Sequence, residues 1–444
     1  MGLTRQSTAT RATEHAVAPD GRIKSTAVRF VLSDRVHDVD STRFEALPGE
    51  SDVRRTRIVP HQNTVFRQLT KRLPWAALRR LVEQHRADKG VRRLSTEQLL
   101  LTLLLAQVHE ARSLRDIEAI LESQDARRYH SGLPAARRST LADAAATRPP
   151  EVFAGVLAAL IGRLAGPLPR GVTDCVRLID STTIPLSGLS ADWARFSAKL
   201  CGAKAHVVFD PNADCPLYLG VTPARVNDIT AAKAMPIEAG ATYVFDLGYY
   251  DYAWWAQLDA QACRIVTRLR SNTPLRVIET LPLPAGAPAI VSDRIGFLPA
   301  RLAAGRRNPM GDAVREINVR IDTGKVLRIV TNDLDAPADE IAGLYKRRWA
   351  IELFFRWIKQ MLKLRHFYGV SENAVRLQIA VALIAFVLIK LAHRTRHAVD
   401  SVTRFGRLIR ATILHRTPLD RLGLPGPPIA GAIQNHDQGV FSWA

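Results

Sequence analysis

The chain has 444 residues, about three times the length of a typical single domain, so two or three domains and a sizeable core are expected. Its 62 Lys and Arg residues outnumber its 42 Asp and Glu residues, which gives a net charge of +20. Hydrophobic residues at 47% and aromatic residues at 7% exclude a mostly disordered basic tail protein. A folded protein with this excess of positive charge favours a polyanionic partner, and we expect nucleic acid.

Arginine supplies most of the positive charge, because only eleven of the 62 cationic residues are lysines. The planar guanidinium suits contacts with phosphates and with base edges. A codon bias towards arginine would explain the ratio of Arg to Lys equally well, but it would not explain the sign of the net charge.

The cysteines and the hydropathy pattern both favour the reducing cytosol. Cys175, Cys201, Cys215 and Cys263 are scattered without a Cys-x-x-Cys pair, which argues against a zinc site and against a disulfide framework. The most apolar stretch, 377–389, is about thirteen residues long, whereas a spanning helix needs roughly 17. We therefore predict that it forms a buried helix and that no segment spans a membrane.

The first third of the chain divides into a leader and a helical module. Residues 1–58 have little periodicity and are predicted to be either a flexible leader or an over-extended start of the reading frame. Residues 59–165 contain several short segments with apolar residues at helical spacing, and Ser95, Ser113 and Ser139 are placed to cap three of the helices. A helical DNA-binding domain and a helical scaffold with a solvated basic face explain this module equally well. Its later arginines are Arg127, Arg128, Arg137, Arg138 and Arg148.

From residue 172 to residue 400 the pattern predicts a mixed α/β domain. Three strands, a helix, a strand, a helix and a strand follow one another, which is the order of a ribonuclease-H-like sheet. Residues 271–334 stay rich in strands and turns, so we interpret them as a β-rich insertion within this domain. A long helix is expected after Asp335, and residues 401–444 are expected to form a C-terminal segment with a loose tail.

Two aspartates follow apolar strands of this domain. Asp180 comes after Val-Arg-Leu-Ile, and Asp246 comes after Tyr-Val-Phe. A carboxylate at the end of an apolar strand is costly unless it is paired or bound to a metal. One such aspartate is commonly a cap or a turn residue. Two on strands that this topology makes neighbours favour a metal site at the edge of the sheet.

The predicted late helix carries a single polar stripe. Tyr345, Arg348, Glu352 and Lys359 stand at offsets of 0, 3, 7 and 14 residues. At about 100° per residue these four positions share an arc of about 60°, with the apolar residues largely on the remaining surface. The stripe could be a solvated face in which Arg348 and Glu352 form an i, i+4 pair. Together with the two aspartates, it favours a site.

The combination of Asp180, Asp246 and Glu352 suits phosphodiester chemistry. Three carboxylates can hold two Mg²⁺ or Mn²⁺ ions, of which one activates water or a 3′ hydroxyl and the other stabilises the leaving oxygen. Oxygen ligands without histidine or thiolate favour Mg²⁺ over zinc. Arg348 and Lys359 would then bind phosphates near the scissile bond, and Tyr345 could donate a hydrogen bond to a phosphate.

These motifs resemble those of the DDE transposases of insertion-sequence family four. The resemblance rests on the spacing Tyr-x2-Arg-x3-Glu-x6-Lys, on Asp-Ser-Thr-Thr-Ile-Pro-Leu-Ser from Asp180 and on Asp-Leu-Gly-Tyr-Tyr-Asp from Asp246. It implies a ribonuclease-H-like core, a helical N-terminal DNA-binding domain, and Asp180, Asp246 and Glu352 as catalytic metal ligands. The residues implied to contact DNA are Tyr345, Arg348, Lys359, Lys204 and His206.

The resemblance also implies partners and a cellular location. The protein is expected to cut and rejoin double-stranded DNA at the terminal inverted repeats of its element, as a dimer that holds both ends. A bacterial cytoplasmic protein associated with the nucleoid is expected. Two alternatives remain open: a catalytically silent DNA-binding descendant, and a ribonuclease-H-like nuclease that cuts without joining. Retention of all three carboxylates argues against the first, and the helical module and β-rich region argue against the second.

Overall fold

The computed structural model of the protein describes most of the chain between residues 63 and 424. The predicted leader and the tail after Leu424 lie outside the described residues. The internal stretches that are not described are 126–127, 129–130, 166–174, 199, 302–305, 362–366, 396–398 and 400.

A nine-stranded mixed sheet forms the centre of the described part. Its strands are β1 Val176–Leu186, β2 Cys201–Asp210, β3 Cys215–Pro223, β4 Thr242–Val244, β5 Arg264–Arg268, β6 Arg276–Thr280, β7 Ile290–Phe297, β8 Val314–Arg320 and β9 Val326–Thr331. They lie in the order β3-β2-β1-β4-β5-β9-β8-β7-β6. The predicted mixed α/β class is confirmed.

The pairing of neighbouring strands changes twice across this sheet, from antiparallel to parallel and back to antiparallel. The first three strands are antiparallel neighbours, whereas β4 lies parallel to both β1 and β5. The strands between residues 276 and 331 continue the same sheet, because β9 pairs antiparallel with β5, with Thr331 opposite Val266. The β-rich region is therefore joined to the core by backbone hydrogen bonds.

Helices precede the sheet, flank it and follow it. They are α1 Val65–Thr70, α2 Trp75–Gln84, α3 Thr96–His109, α4 Leu114–Ser123, α5 Arg138–Thr147, α6 Pro150–Ala165, α7 Ala191–Ala194, α8 Asp228–Ala232, α9 Tyr252–Asp259, α10 Ala338–Arg347, α11 Trp349–Met361, α12 Glu372–Arg394 and α13 Val402–Thr412.

The caps of the N-terminal helices follow the sequence pattern with one exception. The Ser95 hydroxyl accepts the backbone N–H of Gln98, and the Gln98 side chain accepts the N–H of Ser95, which is a complete capping box at α3. The Ser113 hydroxyl caps α4 by accepting the backbone N–H of Asp116, whose carboxylate accepts the N–H of Arg112. The prediction for Ser139 is wrong, because α5 begins at Arg138 and its N-cap residue is Arg137, which makes no side-chain cap.

The two faces of the sheet are covered by different helices. On one face, Leu178 and Val244 belong to a large hydrophobic cluster that includes residues of α1–α6, α11 and α12. On the other face, Ile179 and Phe245 belong to a smaller cluster that contains Trp254 of α9. Because neighbouring strand residues point to opposite faces, the site residues of β1 are divided between the same two environments.

The apolar helix α12 is the hub of the larger cluster. It packs against α1, α3, α5, α6, α11 and α13. With 23 residues it is longer than the apolar run read from the sequence, and by length and composition it could cross a membrane. However, 94% of its most apolar window is buried inside the protein, as expected of a core helix. The bent pair α5 and α6 meets the same length test only when the two helices are taken together.

The burial of α12 predicts a large cost for shortening one of its leucines. Leu388 is 1% exposed, whereas Leu283, in the loop between β6 and β7, is 50% exposed. We expect Leu388→Ala to lower the free energy of unfolding by about 2–5 kcal/mol, because it removes buried methyl groups and leaves a cavity. Leu283→Ala is the matched control and should change it by less than about 0.5 kcal/mol. Urea unfolding checks both, and equal effects would refute a core role for α12.

Candidate active site

The pairing of β1 with β4 brings Asp180 and Asp246 to one edge of the sheet. Leu178 lies opposite Val244 in this parallel pair, and each aspartate follows two residues later. Strand β4 ends at Val244, so Asp246 lies beyond the strand and caps a short 3-10 turn, Leu247–Tyr249. Its carboxylate accepts the backbone N–H of Gly248 at 2.8 Å. The structure thus brings Asp180, on β1, and Asp246, just beyond the end of β4, to the same edge of the sheet.

The carboxyl group of Asp180 has a strongly shifted pKa. Burial raises the pKa of its carboxyl group to about 6, and the negative charges of Asp246 and Glu352 act in the same direction. The backbone N–H of Ser181, which donates to Asp180 at 2.7 Å, and the nearby Arg348 oppose this rise. Several carboxylates therefore influence one another here, although they lie on distant parts of the sequence.

Arg348 connects the helix residue Glu352 to the strand residue Asp180. Its guanidinium lies 2.7 Å from a Glu352 oxygen and 3.7 Å from an Asp180 oxygen. The backbone is also unusual at this residue, because α10 ends at Arg347 and α11 begins at Trp349. The predicted single long helix is thus two helices joined at Arg348. Hydrogen bonds of 3-10 type span the junction, from Arg348 N–H to Tyr345 and from Ile351 N–H to Arg348.

The remaining residues of the predicted stripe have different surroundings. Tyr345 is 8% exposed and its ring lies 5.7 Å from the Arg348 guanidinium; burial raises the pKa of its hydroxyl. Lys359 is exposed and, with Thr182 of β1, borders a small apolar cavity under α11. The apolar residues Ile351, Phe355 and Ile358 are buried as expected. The polar stripe thus follows the edge that carries Asp180.

Lys204 and His206 lie on β2 next to β1, but they face the opposite side of the sheet from Asp180. Lys204 donates to Asp228 at 3.1 Å and to the carbonyl of Val226 at 3.2 Å. His206 is 0% exposed, and one of its ring nitrogens lies 2.8 Å from the Thr222 hydroxyl. Burial lowers the pKa of His206 to about 4, so the ring is neutral at pH 7. This burial argues against the predicted DNA contact of His206 and corrects that expectation.

Asp228, Ser181 and Tyr249 are close to the predicted carboxylates and were missed in the sequence. The Ser181 hydroxyl lies 2.7 Å from an Asp228 oxygen. Tyr249 is almost fully buried, and burial together with the charges of Asp180, Asp228 and Asp246 raises the pKa of its hydroxyl well above 10. Aspartate is common in the first turn of a helix, where its charge interacts favourably with the helix dipole. The sequence around Asp228 therefore gives no reason to predict it as a site residue.

The donor set at this edge fits a hard divalent cation in chemistry. Asp180, Asp246 and Glu352 offer carboxylate oxygens, which Mg²⁺ and Mn²⁺ prefer, and no thiol or accessible imidazole accompanies them in the described residues. Within the same residues, no three His, Cys, Asp or Glu side chains are close enough to form a ready metal cluster. Arg348 instead supplies the positive charge shared by two of the carboxylates.

The raised pKa of Asp180 predicts a pH-dependent cost to stability in metal-free protein. The unfolded chain loses this proton near pH 4 and the folded protein near pH 6, so stability falls as the pH rises through that window. Asp180→Asn removes the cost and should raise the free energy of unfolding at pH 7.5 by up to about 3 kcal/mol. The gain should shrink to less than about 1 kcal/mol at pH 4. Urea unfolding in EDTA at the two pH values measures both.

Asp333 provides a control, because its pKa is shifted in the opposite direction from that of Asp180. Although burial alone would raise the pKa of its carboxyl group, the Ala336 backbone N–H and the Arg264 side chain hold that pKa below its ordinary value. Asp333→Asn should therefore lower stability at neutral pH and matter less as the pH falls. A stability loss in Asp180→Asn at pH 7.5 like that of Asp333→Asn would contradict the account of Asp180.

Comparisons with known proteins agree on one family. The family model of the transposase DDE domain matches residues 172–388, and a domain of unknown function matches residues 61–134. A putative transposase, y4zB of Sinorhizobium fredii, is 40% identical over 292 residues, covering 65% of this chain and 80% of that protein. A probable transposase for insertion sequence element IS5377 of Geobacillus stearothermophilus is 27% identical over 336 residues, or 74% of this chain and 85% of that protein.

Among solved structures, the piggyBac transposase synaptic complex with hairpin DNA matches 84% of each chain at 12% identity. Its TM-score of 0.45 is too low to support an argument from shape. The sequence relatives decide the question, because the chain covers four fifths of y4zB at an identity well above 30%. The chain belongs to the DDE transposases, the family of DNA transposition enzymes that its motifs predicted.

Proposed function

We propose that Asp180, Asp246 and Glu352 are the catalytic residues of this transposase and that they bind two Mg²⁺ or Mn²⁺ ions. The observation that carries the proposal is their convergence: strand register aligns the two aspartates, and Arg348 reaches both Asp180 and Glu352. Bound ions of this kind activate a water or a 3′ hydroxyl and stabilise the leaving oxygen of a phosphodiester. The reaction class is hydrolysis followed by transesterification.

The protein's own residues supply charge and orientation around the scissile phosphate. Burial and the charges of Asp246 and Glu352 disfavour the ionised form of Asp180, and a divalent cation held there would favour it. Arg348 and Lys359 are proposed to bind the flanking phosphates, with Tyr345 as a hydrogen-bond donor. Arg348 would have to exchange part of its contact with Asp180 and Glu352 for a phosphate. Lys204 lies on the neighbouring strand β2 but faces the other side of the sheet, so it is proposed to act near the DNA only indirectly, through its contact with Asp228.

The substrate we propose is the double-stranded terminal inverted repeat of the element, together with a target duplex. The helical module of residues 59–165 is proposed to recognise the repeat, and a dimer would hold both ends during cut-and-paste transposition. The net charge of +20 supports binding to the phosphate backbone. Action on chromosomal DNA supports a cytoplasmic, nucleoid-associated protein.

Conservative variants of the three carboxylates test this assignment. Asp180→Asn, Asp246→Asn and Glu352→Gln keep size and shape but remove the charge that would hold a cation. We expect each to reduce cleavage and joining of a labelled element end in Mg²⁺ by at least about 1000-fold, because each removes charge stabilisation of the transition state. Binding of the same DNA in EDTA should remain within a few-fold of wild type.

Asp192→Asn is the matched control, because Asp192 is an exposed carboxylate on α7. It should leave cleavage and joining at wild-type rates. Cleavage by the three site variants at wild-type rates would show that the catalytic residues lie elsewhere. Wild-type protein that cuts without joining would identify a nuclease, and wild-type protein that only binds would identify a silent descendant.

A further inference from the structure

A positively charged groove lies on the helical module, away from the carboxylates. Its volume is about 450 Å³, and it runs between the loop that precedes α3 and the helix α5. The loop contributes Lys89, Arg92 and Arg93, all exposed, and α5 contributes Thr140 and Asp143. Five of the residues that line the groove are charged, which is unlike the apolar pockets that bind small organic ligands; they are Lys89, Arg92, Arg93, Asp143 and Arg148.

The loop cations of this groove are not neutralised by the protein itself. Within the part of the chain that the structure describes, Lys89, Arg92 and Arg93 have no ion pair with an acidic residue. Asp143 is the one acidic residue that lines the groove. Three uncompensated cations on one wall are the pattern expected where an extended anion binds.

The loop is held in place by contacts at its base. One Asp88 oxygen accepts both the backbone N–H and the hydroxyl of Thr96, each at 2.7 Å. Arg148 donates to the carbonyl of Leu94 at 2.8 Å and lies 3.7 Å from Asp88. Asn373 of α12 donates to the carbonyl of Arg148 at 2.7 Å, which ties the base of the groove to the hub helix. The cations are thus presented by a fixed loop.

We propose that this groove binds the phosphate backbone of duplex DNA through Lys89, Arg92 and Arg93. The inference rests on the proposed function, because it assumes that the DNA held there is the same molecule that is cut at the sheet edge. The contacts would be independent of base sequence, since they are made by cations without a base-reading element. Their role would be to fix the helical module on the DNA near the element end.

The test compares two pairs of arginines on the same module. Arg92→Ala/Arg93→Ala removes two groove cations, and Arg79→Ala/Arg80→Ala removes two exposed cations of α2 outside the groove. Anisotropy with a labelled element-end duplex and a shuffled duplex is measured in EDTA across a salt series. We expect the groove variant to bind both duplexes roughly 10–100-fold more weakly at about 0.1 M salt. The slope of log affinity against log salt should decrease by about 2.

Equal losses in the two double variants would overturn the proposal, because they would show an effect of net charge alone. Wild-type affinity in the groove variant would overturn it as well. The binding measurements need no cleavage, so they test the groove independently of the proposed chemistry. A failure of that chemistry would be seen in the cleavage assay of the wild-type protein. A melting temperature near that of wild type is expected for both variants, as all four side chains are exposed.

A different observation concerns Asp228, which meets the catalytic edge from the opposite face of the sheet. One of its oxygens contacts the Ser181 hydroxyl at 2.7 Å and the Lys204 ammonium at 3.1 Å. A Cβ placed on Gly248 would lie 3.5 Å from the other Asp228 oxygen and 3.0 Å from an Asp246 oxygen. Asp228 is therefore next to the residue that follows Asp180 and next to the turn that carries Asp246.

The surroundings of Asp228 indicate a supporting role and argue against a role as a metal ligand. Ser181 alternates with Asp180 along β1, so Asp228 and the Asp180 carboxylate approach the strand from opposite sides. Lys204 supplies the charge partner of Asp228, because His206, 3.7 Å away, is neutral at pH 7. The buried hydroxyl of Tyr249 lies near Asp180, Asp228 and Asp246, and burial with these three charges raises its pKa.

We infer that Asp228 is a positioning residue that holds β1 and the Asp246 turn in the geometry needed for metal binding. This inference also rests on the proposed function. Loss of such a support commonly lowers metal affinity or activity by roughly 10–100-fold. Because Asp228 would act through Ser181, removal of both groups should be no worse than removal of one.

A double-mutant cycle tests this inference. We measure two properties of Asp228→Asn, Ser181→Ala and the double variant. One is the rate of single-turnover cleavage, and the other is the Mn²⁺ concentration at which the melting temperature has risen by half of its maximum. We expect each single variant to raise that concentration about tenfold and to slow cleavage about tenfold, with the double variant similar to either one. Lys233→Met, which breaks a surface ion pair with Asp251 at 2.6 Å, is the control and should match wild type.

Effects of the two substitutions that multiply would refute the coupling, and an unchanged Mn²⁺ midpoint would refute the positioning role. The midpoint is read without catalysis. It therefore remains informative even if wild-type protein fails to cleave, which would instead count against the proposed function.

Discussion

Concentration of negative charge at one edge of the sheet is the constraint on which the rest of the structure depends. Parallel pairing of β1 and β4 places Asp180 and Asp246 side by side, and α11 adds Glu352. Carboxylates held this close repel one another unless cations accompany them. In the described structure Arg348 provides part of this compensation, while burial and the charges of Asp246 and Glu352 keep the pKa of Asp180 raised. An edge of this kind is prepared to receive further positive charge.

The fold supplies rigidity from both faces of the sheet. On one face, the hub helix α12 and the helix α11, which carries Glu352, share the hydrophobic cluster that includes Leu178 and Val244. On the other face, the aromatic cluster around Trp254 supports the strand residues next to Asp246. Because α12 also packs against the N-terminal helices, one packed core joins the helical module to the helix that carries Glu352.

Much of this could be predicted from local patterns. The strand around Asp180, the strand end before Asp246 and the buried face of α11 follow from periodicity and burial. The strand end expected at Asp180 is wrong, because β1 continues past it to Leu186 in its pairing with β2. The break at Arg348 could not be predicted, because both sides of it read as one continuous helix. The position of Asp228 could not be predicted either. Its proximity to Ser181 depends on the path of the chain after β3, and no local sequence pattern determines that path. The burial of His206 depends on the same tertiary packing.

The positive charges behind the net charge of +20 of this transposase fall into two groups. Part of it is structural, as in the Arg148 contacts that fix a loop and in the Lys204 contact with Asp228. Another part is exposed on fixed elements, where DNA can reach it. Charge alone therefore does not locate the nucleic acid; its placement on rigid and uncompensated surfaces does.

The most direct test of the central claim is anomalous diffraction from crystals of the protein bound to an element-end duplex in Mn²⁺. The account predicts two manganese peaks, roughly 3.5–4 Å apart, ligated by Asp180, Asp246 and Glu352 beside a backbone phosphate. Manganese ligated elsewhere, or bound without contact to one of these three carboxylates, would contradict it.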